Sequence, residues 1–258
     1  MIEIRDLTTG YGEKVVTEHI NAQLEHGELV CLLGANGIGK STLLRTLCGF
    51  LKPLKGDICI EGKTMKDIRP SRLGRMVGVV LTERIDAEHM TVKDIVAMGR
   101  NPYTGFWGNL NEGDNKLVLA AMQQVGIESF KDRMIQTLSD GERQKVLIAK
   151  ALAQQTPIII LDEPTAFLDY ASKIETLRLL QRLAHNTGKI IFMSTHDVEM
   201  ALQLSDRLWL MDKDGITTGT PEELAANGRI ARFVECDGVH FDAQNLMLKI
   251  EPIHKRKE

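Results

Sequence analysis

From Met1 to Leu7 apolar and polar residues alternate, and the same period of two returns in Gly56-Asp57-Ile58-Cys59-Ile60-Glu61-Gly62 between bounding glycines. Both segments read as half-exposed strands of an antiparallel layer. A second pattern is continuous rather than alternating: Glu28 to Leu33, Met76 to Leu81, Pro157 to Leu161 and Lys189 to Met193 are short apolar runs, as expected of parallel strands covered on both faces. Between Thr91 and Ala153 the periodicity turns helical, opening on the capping box Thr91-Val92-Lys93-Asp94 and interrupted by a Gly/Asn/Pro-rich loop from Gly99 to Gly113. A last segment from Gly215 carries another cap at Thr220-Pro221-Glu222-Glu223 and ends in Lys255-Arg256-Lys257-Glu258, a solvated tail. The expectation is an α/β fold with a parallel core sheet, an N-terminal antiparallel β layer and a helical insertion. Residues 1–84 and 155–214 would form the core with its antiparallel layer, 85–154 the helical subdomain, and 215–258 a C-terminal segment.

Composition narrows the class. With 258 residues, 43% of them hydrophobic, the chain can bury one substantial core and reads as a single globular domain. A net charge of -3 and a pI near 6.2 provide no global basic field, so no nucleic-acid partner is expected and any bound anion must be held locally. Cys31, Cys48, Cys59 and Cys236 lack metal-ligand spacing, and three of them lie in apolar runs, so reduced thiols are expected. No run approaches the roughly 18 apolar residues of a membrane span. Glu3, Arg5 and Asp6 stand where a signal peptide needs its apolar core. These features predict a cytoplasmic protein, still free to dock on a membrane partner.

The chemistry begins at Gly34-Ala35-Asn36-Gly37-Ile38-Gly39-Lys40-Ser41, which follows an apolar strand and runs into the helix-compatible Thr42-Leu43-Leu44-Arg45-Thr46-Leu47. The glycines let successive backbone N–H groups and a helix N-terminus surround phosphate oxygens. Lys40 would reach the β- and γ-phosphates and the Ser41 hydroxyl would coordinate Mg²⁺, a phosphate-loop NTPase arrangement whose nucleotide contacts run from Gly34 to Thr42. The strand Ile158-Ile159-Ile160-Leu161 then delivers Asp162 and Glu163 at its C-terminal edge, where ligands gather in open parallel sheets. Asp162 would hold the Mg²⁺ shell and Glu163 would polarise the attacking water. Between these elements, Leu138-Ser139-Asp140-Gly141-Glu142 opens the amphipathic run Arg143 to Ala153. Ser139 and Glu142 form a capping box that needs no ligand, yet the same geometry aims Ser139, the Gly141 amide and a positive helix end outward toward a phosphate.

In their order, the phosphate loop, the Leu138–Glu142 segment, Asp162-Glu163, Ala166-Phe167-Leu168-Asp169 and Ser194-Thr195-His196-Asp197 resemble the ATP-binding-cassette (ABC) ATPases, over Tyr11 to about Glu223. The resemblance implies that Tyr11 is the aromatic platform for adenine, that His196 contacts the γ-phosphate and orients catalysis, and that Asp169 communicates across a subunit interface. It further implies that Ser139 and Gly141 bind the ATP held by a second cassette, so that two ATPs are sandwiched in a head-to-tail homodimer. The six remaining histidines read as ordinary polar residues. Met90 to Tyr103, including Gly99-Arg100-Asn101-Pro102-Tyr103, is similar to the helical-subdomain entry of importers for iron-siderophores, haem and cobalamin. The implied partners are a multi-span membrane permease and a substrate-binding protein, with the cassette peripheral on the inner face of the membrane. Two other readings are a soluble cassette ATPase of translation or DNA repair, which would commonly carry two cassettes or long coiled coils, and a low-turnover regulatory module. Three positions depart from the family pattern. Asp140 and Glu142 replace the usual glycine and glutamine of the signature, and Thr82 stands where a metal- and permease-sensing glutamine is usual, with Glu83 the adjacent long acceptor.

Overall fold

The computed structural model describes residues 1–81, 89–104, 108–236 and 238–250. Thr82, Glu83 and the charged tail lie outside the described residues. Strands β1 (Ile2–Tyr11) and β2 (Lys14–Leu24) form an antiparallel hairpin, after which β3 (Leu29–Gly34) enters a different sheet and leads into helix α1 (Lys40–Leu47). Strand β4 (Lys55–Ile60) and the short β5 (Lys63–Thr64) return to the first sheet, which has the order β2-β1-β4-β5. A one-turn helix α2 (Pro70–Leu73) precedes β6 (Val77–Val80). Helices α3 (Val92–Ala97), α4 (Glu112–Gln124) and α5 (Asp140–Ala153) follow before the chain returns to the large sheet in β7 (Ile158–Leu161). Next come α6 (Tyr170–Thr187), β8 (Ile190–Thr195), α7 (Val198–Leu204) and a hairpin of β9 (Arg207–Asp212) and β10 (Gly215–Gly219). Helices α8 (Pro221–Ala226) and α9 (Arg229–Val234) and a second hairpin, β11 (Val239–Asp242) with β12 (Met247–Ile250), complete the described chain.

The large sheet has the order β10-β9-β3-β8-β7-β6; its strands from β9 to β6 are parallel and β10 is antiparallel to β9. The apolar runs of β3, β8 and β7 are buried on both faces, and that of β6 closes the edge of the sheet. Along β3, Leu29, Cys31 and Leu33 pack toward the helices α3 to α7, while Val30 and Leu32 pack toward α1 and the antiparallel sheet. The same alternation divides Ile159 and Leu161 from Ile158 and Ile160 in β7, and Ile191 and Met193 from Ile190 and Phe192 in β8. This two-sided burial is why those segments read as unbroken apolar runs. Helix α1 is therefore sandwiched between two sheets, with Leu43, Leu44 and Leu47 buried.

The sequence reading differs from the structure in several places. Strand β2 was not predicted: it pairs with β1 through three register shifts, so its apolar positions follow no sustained period of two. The β9–β10 and β11–β12 hairpins also went unassigned. The loop expected from Gly99 to Gly113 is shorter than that, since Met98–Arg100 is a 3₁₀ turn and α4 already begins at Glu112. The predicted capping boxes at Thr91 and Ser139 and the predicted cap at Thr220 all form, each with reciprocal hydrogen bonds.

Around Arg100 the packing explains a motif that looked like an exit loop. Arg100 is buried; its Nε donates to Asp114 Oδ1 at 2.9 Å and its Nη1 to the Ala153 carbonyl at 2.8 Å, tying α4 to the end of α5. Tyr103 lies between two guanidinium groups, with Arg100 Cζ 4.1 Å and Arg75 Cζ 5.0 Å from its ring centre. Arg75, from the segment between α2 and β6, also donates to the Pro102 carbonyl at 3.0 Å. Gly99 is required because a β-carbon there would penetrate the Lys150 carbonyl and sit 3.1 Å from the Ala153 methyl. Gly99→Ala is accordingly expected to cost about 1–3 kcal/mol through overpacking. Thermal denaturation followed by circular dichroism should register this as a Tm lowered by roughly 5 °C; an unchanged Tm would contradict the close approach.

Candidate functional site

Three adjacent parallel strands, β3, β8 and β7, end on the same edge of the large sheet, and the predicted reactive groups hang from those ends. The glycine-rich loop leaves β3 at Gly34 and enters α1 through Gly39, whose φ of 120° is closed to residues with a side chain. A β-carbon at Gly39 would also fall 2.6 Å from Val16 Cγ1 in β2. Helix α1 has no side-chain cap and no acidic residue in its first turn, so its free N–H groups and positive dipole end face an anion without competition from its own chain.

Lys40, the first residue of α1, is buried, with its ammonium folded back onto the loop: Nζ donates to the Gly34 carbonyl at 2.7 Å and to the Ala35 carbonyl at 3.2 Å. It also lies 3.4 Å from His196 Nδ1. Burial pushes the Lys40 pKa below the ordinary lysine value, against the opposing pull of the Glu163 and Asp162 carboxylates. The Ser41 hydroxyl donates to Asp162 Oδ1 at 3.3 Å. Asp162 and Glu163 follow β7 directly, and Glu163 turns into the left-handed region with φ 48°. Its carboxylate pairs through Oε1 with His196 Nε2, which follows β8. Ser194, fully buried near the end of β8, donates to Asp162 Oδ1 at 2.7 Å and accepts the Glu163 amide at 2.9 Å. Lys40, Ser41, Asp162, Glu163 and His196 are thus brought together from three strand ends. Tyr11, at the end of β1, is 47% exposed, and its hydroxyl lies 3.5 Å from Thr42 Oγ1 in α1.

A cleft of about 720 Å³ opens along the loop, lined among others by Ala35, Asn36, Ile38, His196, Arg232 and Phe233. The last two come from α9, a contribution that no local signal in the C-terminal segment announced. Ser194, which the sequence brought in only as part of the Ser194-Thr195-His196-Asp197 motif and without a role of its own, has its partners Asp162 and Glu163 more than 30 positions away.

Ser139 and Gly141 are not gathered with these groups. Ser139 is the N-cap of α5, Gly141 lies in the helix's first turn, and the hydrogen bonds of Ser139 run to Glu142 and Arg143 of the same helix. Hydrogen bonding by the Ser139 amide holds the Glu142 carboxyl below the usual carboxylate range. Asp140, the negative charge that looked adverse beside a phosphate, turns to Arg143 Nη1 at 3.0 Å, and the same guanidinium donates to the Leu138 carbonyl at 3.1 Å. Asp169 caps α6 by accepting from the Ser172 amide and hydroxyl at 2.9 and 2.8 Å. Among the described residues there is no cluster of three or more His, Cys, Asp or Glu with metal-binding geometry. Two hard oxygen donors, Ser41 Oγ and Asp162 Oδ1, do converge, the sparse set that suits Mg²⁺ completed by substrate phosphates.

Comparison with known proteins gives concordant matches. A family model described as "ABC transporter" matches residues 17–166. An uncharacterised ABC transporter ATP-binding protein of Methanocaldococcus jannaschii is 43% identical over 100% of this chain and 90% of its own length. The ferric enterobactin transport ATP-binding protein FepC of Escherichia coli is 34% identical over 88% of this chain and 84% of its own. A dimeric bacterial ABC transporter cassette of known structure superposes with a TM-score of 0.73 at 26% identity, covering 86% of this chain and 99% of that one.

Proposed function

This chain belongs to the ABC transporter family of ATPases, and from that premise we propose that it is the ATP-hydrolysing subunit of an importer for iron-siderophore, haem or cobalamin complexes. The convergence of Lys40, Ser41, Asp162, Glu163 and His196 at one sheet edge carries the hydrolytic part of this reading. The relatives that are named for import carry the transport part, since FepC is named for ferric enterobactin transport. They also favour import over a soluble cassette of translation or DNA repair.

The geometry supports the following residue roles. Backbone N–H groups from Gly34 to Thr42 and the N-terminus of α1 receive the phosphate oxygens of ATP. Lys40 exchanges its contacts with the Gly34 and Ala35 carbonyls for β- and γ-phosphate oxygens, and the added negative charge offsets the desolvation of its ammonium. Ser41 and Asp162 hold Mg²⁺, which when bound neutralises charge on the phosphates. Glu163 accepts a proton from the water that attacks the γ-phosphorus, and His196, paired with that carboxylate and adjacent to Lys40, orients it toward the γ-phosphate. Tyr11 offers its partly exposed ring to adenine.

ABC ATPases of importers work as dimers with a membrane permease. The separation of Ser139 and Gly141 from the rest of the site fits a head-to-tail homodimer in which they close over the partner's ATP. Asp140, already paired with Arg143, adds little repulsion there. Among the described residues no helix is long and apolar enough to cross a membrane. On the import reading the cassette would act peripherally on the cytoplasmic face, docked on a permease fed by a substrate-binding protein.

Glu163→Gln is expected to bind Mg-ATP normally, to lose at least about 100-fold in turnover and to accumulate as an ATP-bound dimer, as read by phosphate release and size-exclusion chromatography. Near-normal turnover would remove Glu163 as the base. In mixed dimers, Ser139→Arg in one subunit is expected to silence the Lys40 site of the other. A heterodimer of a Ser139→Arg subunit with a Lys40→Ala subunit should therefore keep one intact composite site, since both changes fall on the other, whereas a subunit carrying both changes and paired with wild type should leave neither site intact. Reconstituted with its permease in vesicles, the wild-type protein should drive ATP-dependent uptake of a ferric siderophore, haem or cobalamin; transport of none of them would refute that substrate class.

A further inference from the structure

Ser194 is the fifth residue of β8 and is fully buried. Its place is set by the sheet: β7 and β8 run parallel with Leu161 opposite Met193, and the next step along both strands brings Asp162 level with Ser194. There the ladder ends. Glu163 leaves the strand in the left-handed region, which long side chains rarely enter, and its amide is received by a side-chain hydroxyl in place of a strand carbonyl. The same hydroxyl spends its proton on Asp162 Oδ1 at 2.7 Å, the oxygen that Ser41 also reaches, at 3.3 Å. One oxygen thus sets two adjacent acids: it fixes the direction of the Asp162 carboxylate and anchors the backbone from which the Glu163 carboxylate projects toward His196.

We propose that Ser194 is a positioning residue for ATP hydrolysis, holding Asp162 for the metal and Glu163 for the attacking water. This rests on the roles given above to those two acids. When the Ser41 hydroxyl turns from Asp162 to the metal, the Ser194 hydroxyl remains as a fixed donor to Asp162 Oδ1, so the carboxylate keeps its orientation as the cation arrives. Replacing Ser194 by alanine strands the part-buried Glu163 amide and removes one of the donors that orient the Asp162 carboxylate. The nucleotide's own contacts, with the Gly34–Thr42 loop and Lys40, are untouched.

The test uses the full-length protein and three readouts: affinity for a fluorescent ADP analogue in EDTA, Mn²⁺ affinity of the ADP complex by electron paramagnetic resonance, and steady-state ATPase kinetics. For Ser194→Ala the metal-free ADP affinity and the KM for ATP at saturating metal are expected to stay within about twofold of wild type, while Mn²⁺ binding weakens about fivefold and kcat falls about tenfold. Ser194→Cys, close to serine in size but a weak hydrogen-bonding group, should behave like alanine, and Ser194→Thr should restore most of both losses. Should threonine prevent folding, the alanine and cysteine variants still decide. Wild-type Mn²⁺ affinity and kcat in Ser194→Ala would overturn the proposal. So would a loss of metal-free ADP affinity parallel to the loss of kcat in the alanine and cysteine variants, the mark of a general packing defect. Asp162→Ala separates the two levels: if it leaves Mn²⁺ affinity unchanged, the metal role of Asp162 itself has failed, whatever Ser194 does.

Discussion

The parallel hydrogen-bond ladder joining β3, β8 and β7 is the constraint on which the rest of this structure depends. Because the strands run in one direction, their carboxyl ends share an edge, and every residue just beyond them is held at a position fixed by register. The phosphate loop leaves β3, Asp162 and Glu163 leave β7, and His196 leaves β8, so groups more than 100 positions apart in sequence meet without any dedicated scaffold. Burying both faces of the sheet, against the helices on one side and against α1 and the antiparallel sheet on the other, holds that register: a slip by one residue would exchange the two buried faces of every strand.

The electrostatics follow the same division. On the core edge the charges are concentrated and partly desolvated, with Lys40, Asp162, Glu163 and His196 in mutual reach, and Lys40 bears the cost in a lowered pKa. At the start of α5 the charges are dispersed and locally compensated, Asp140 by Arg143 and Glu142 by the Ser139 amide with Arg133 3.7 Å away. On the proposed reading, the site that holds the multiply charged anion keeps a cation whose hydrogen bonds go to backbone carbonyls that phosphate oxygens can replace. On the same reading, the surface that would meet an anion held by another chain has its acids paired off.

What could be read from the chain and what could not divide along physical lines. The doubly covered strands were legible because continuous burial forces continuous apolarity, and the phosphate loop because its glycines and lysine are needed at fixed local spacing. The capping boxes were legible for the same reason, each being a matter of four successive residues. Strand β2 was not, since its bulged pairing with β1 scrambles the alternation, and β10 was not, since Thr217 and Thr218 at a half-exposed edge carry little hydrophobic signal. Ser194 illustrates the deeper limit. Its chemistry lies in partners that follow the neighbouring strand, and a serine just after an apolar run carries no local mark of what it will face. Asp140 is the converse: its sign was plain from the sequence, but its direction, toward Arg143, was not.

The knot around Arg100 has a mechanical consequence. Arg100 fastens α4 to the end of α5, α3 packs on both helices, and Met90 and Thr91 at the entry to α3 pair with Met134 and Ile135, just upstream of Ser139. These contacts join the three helices among the described residues, and the Arg75 contacts with Pro102 and Tyr103 tie the same block to the segment before β6. On the proposed reading, a displacement imposed near the start of α3 would pass through the Met90–Ile135 and Thr91–Met134 pairing toward the N-terminal turn of α5, so that a push at one end of the helical block would re-aim Ser139 at the other.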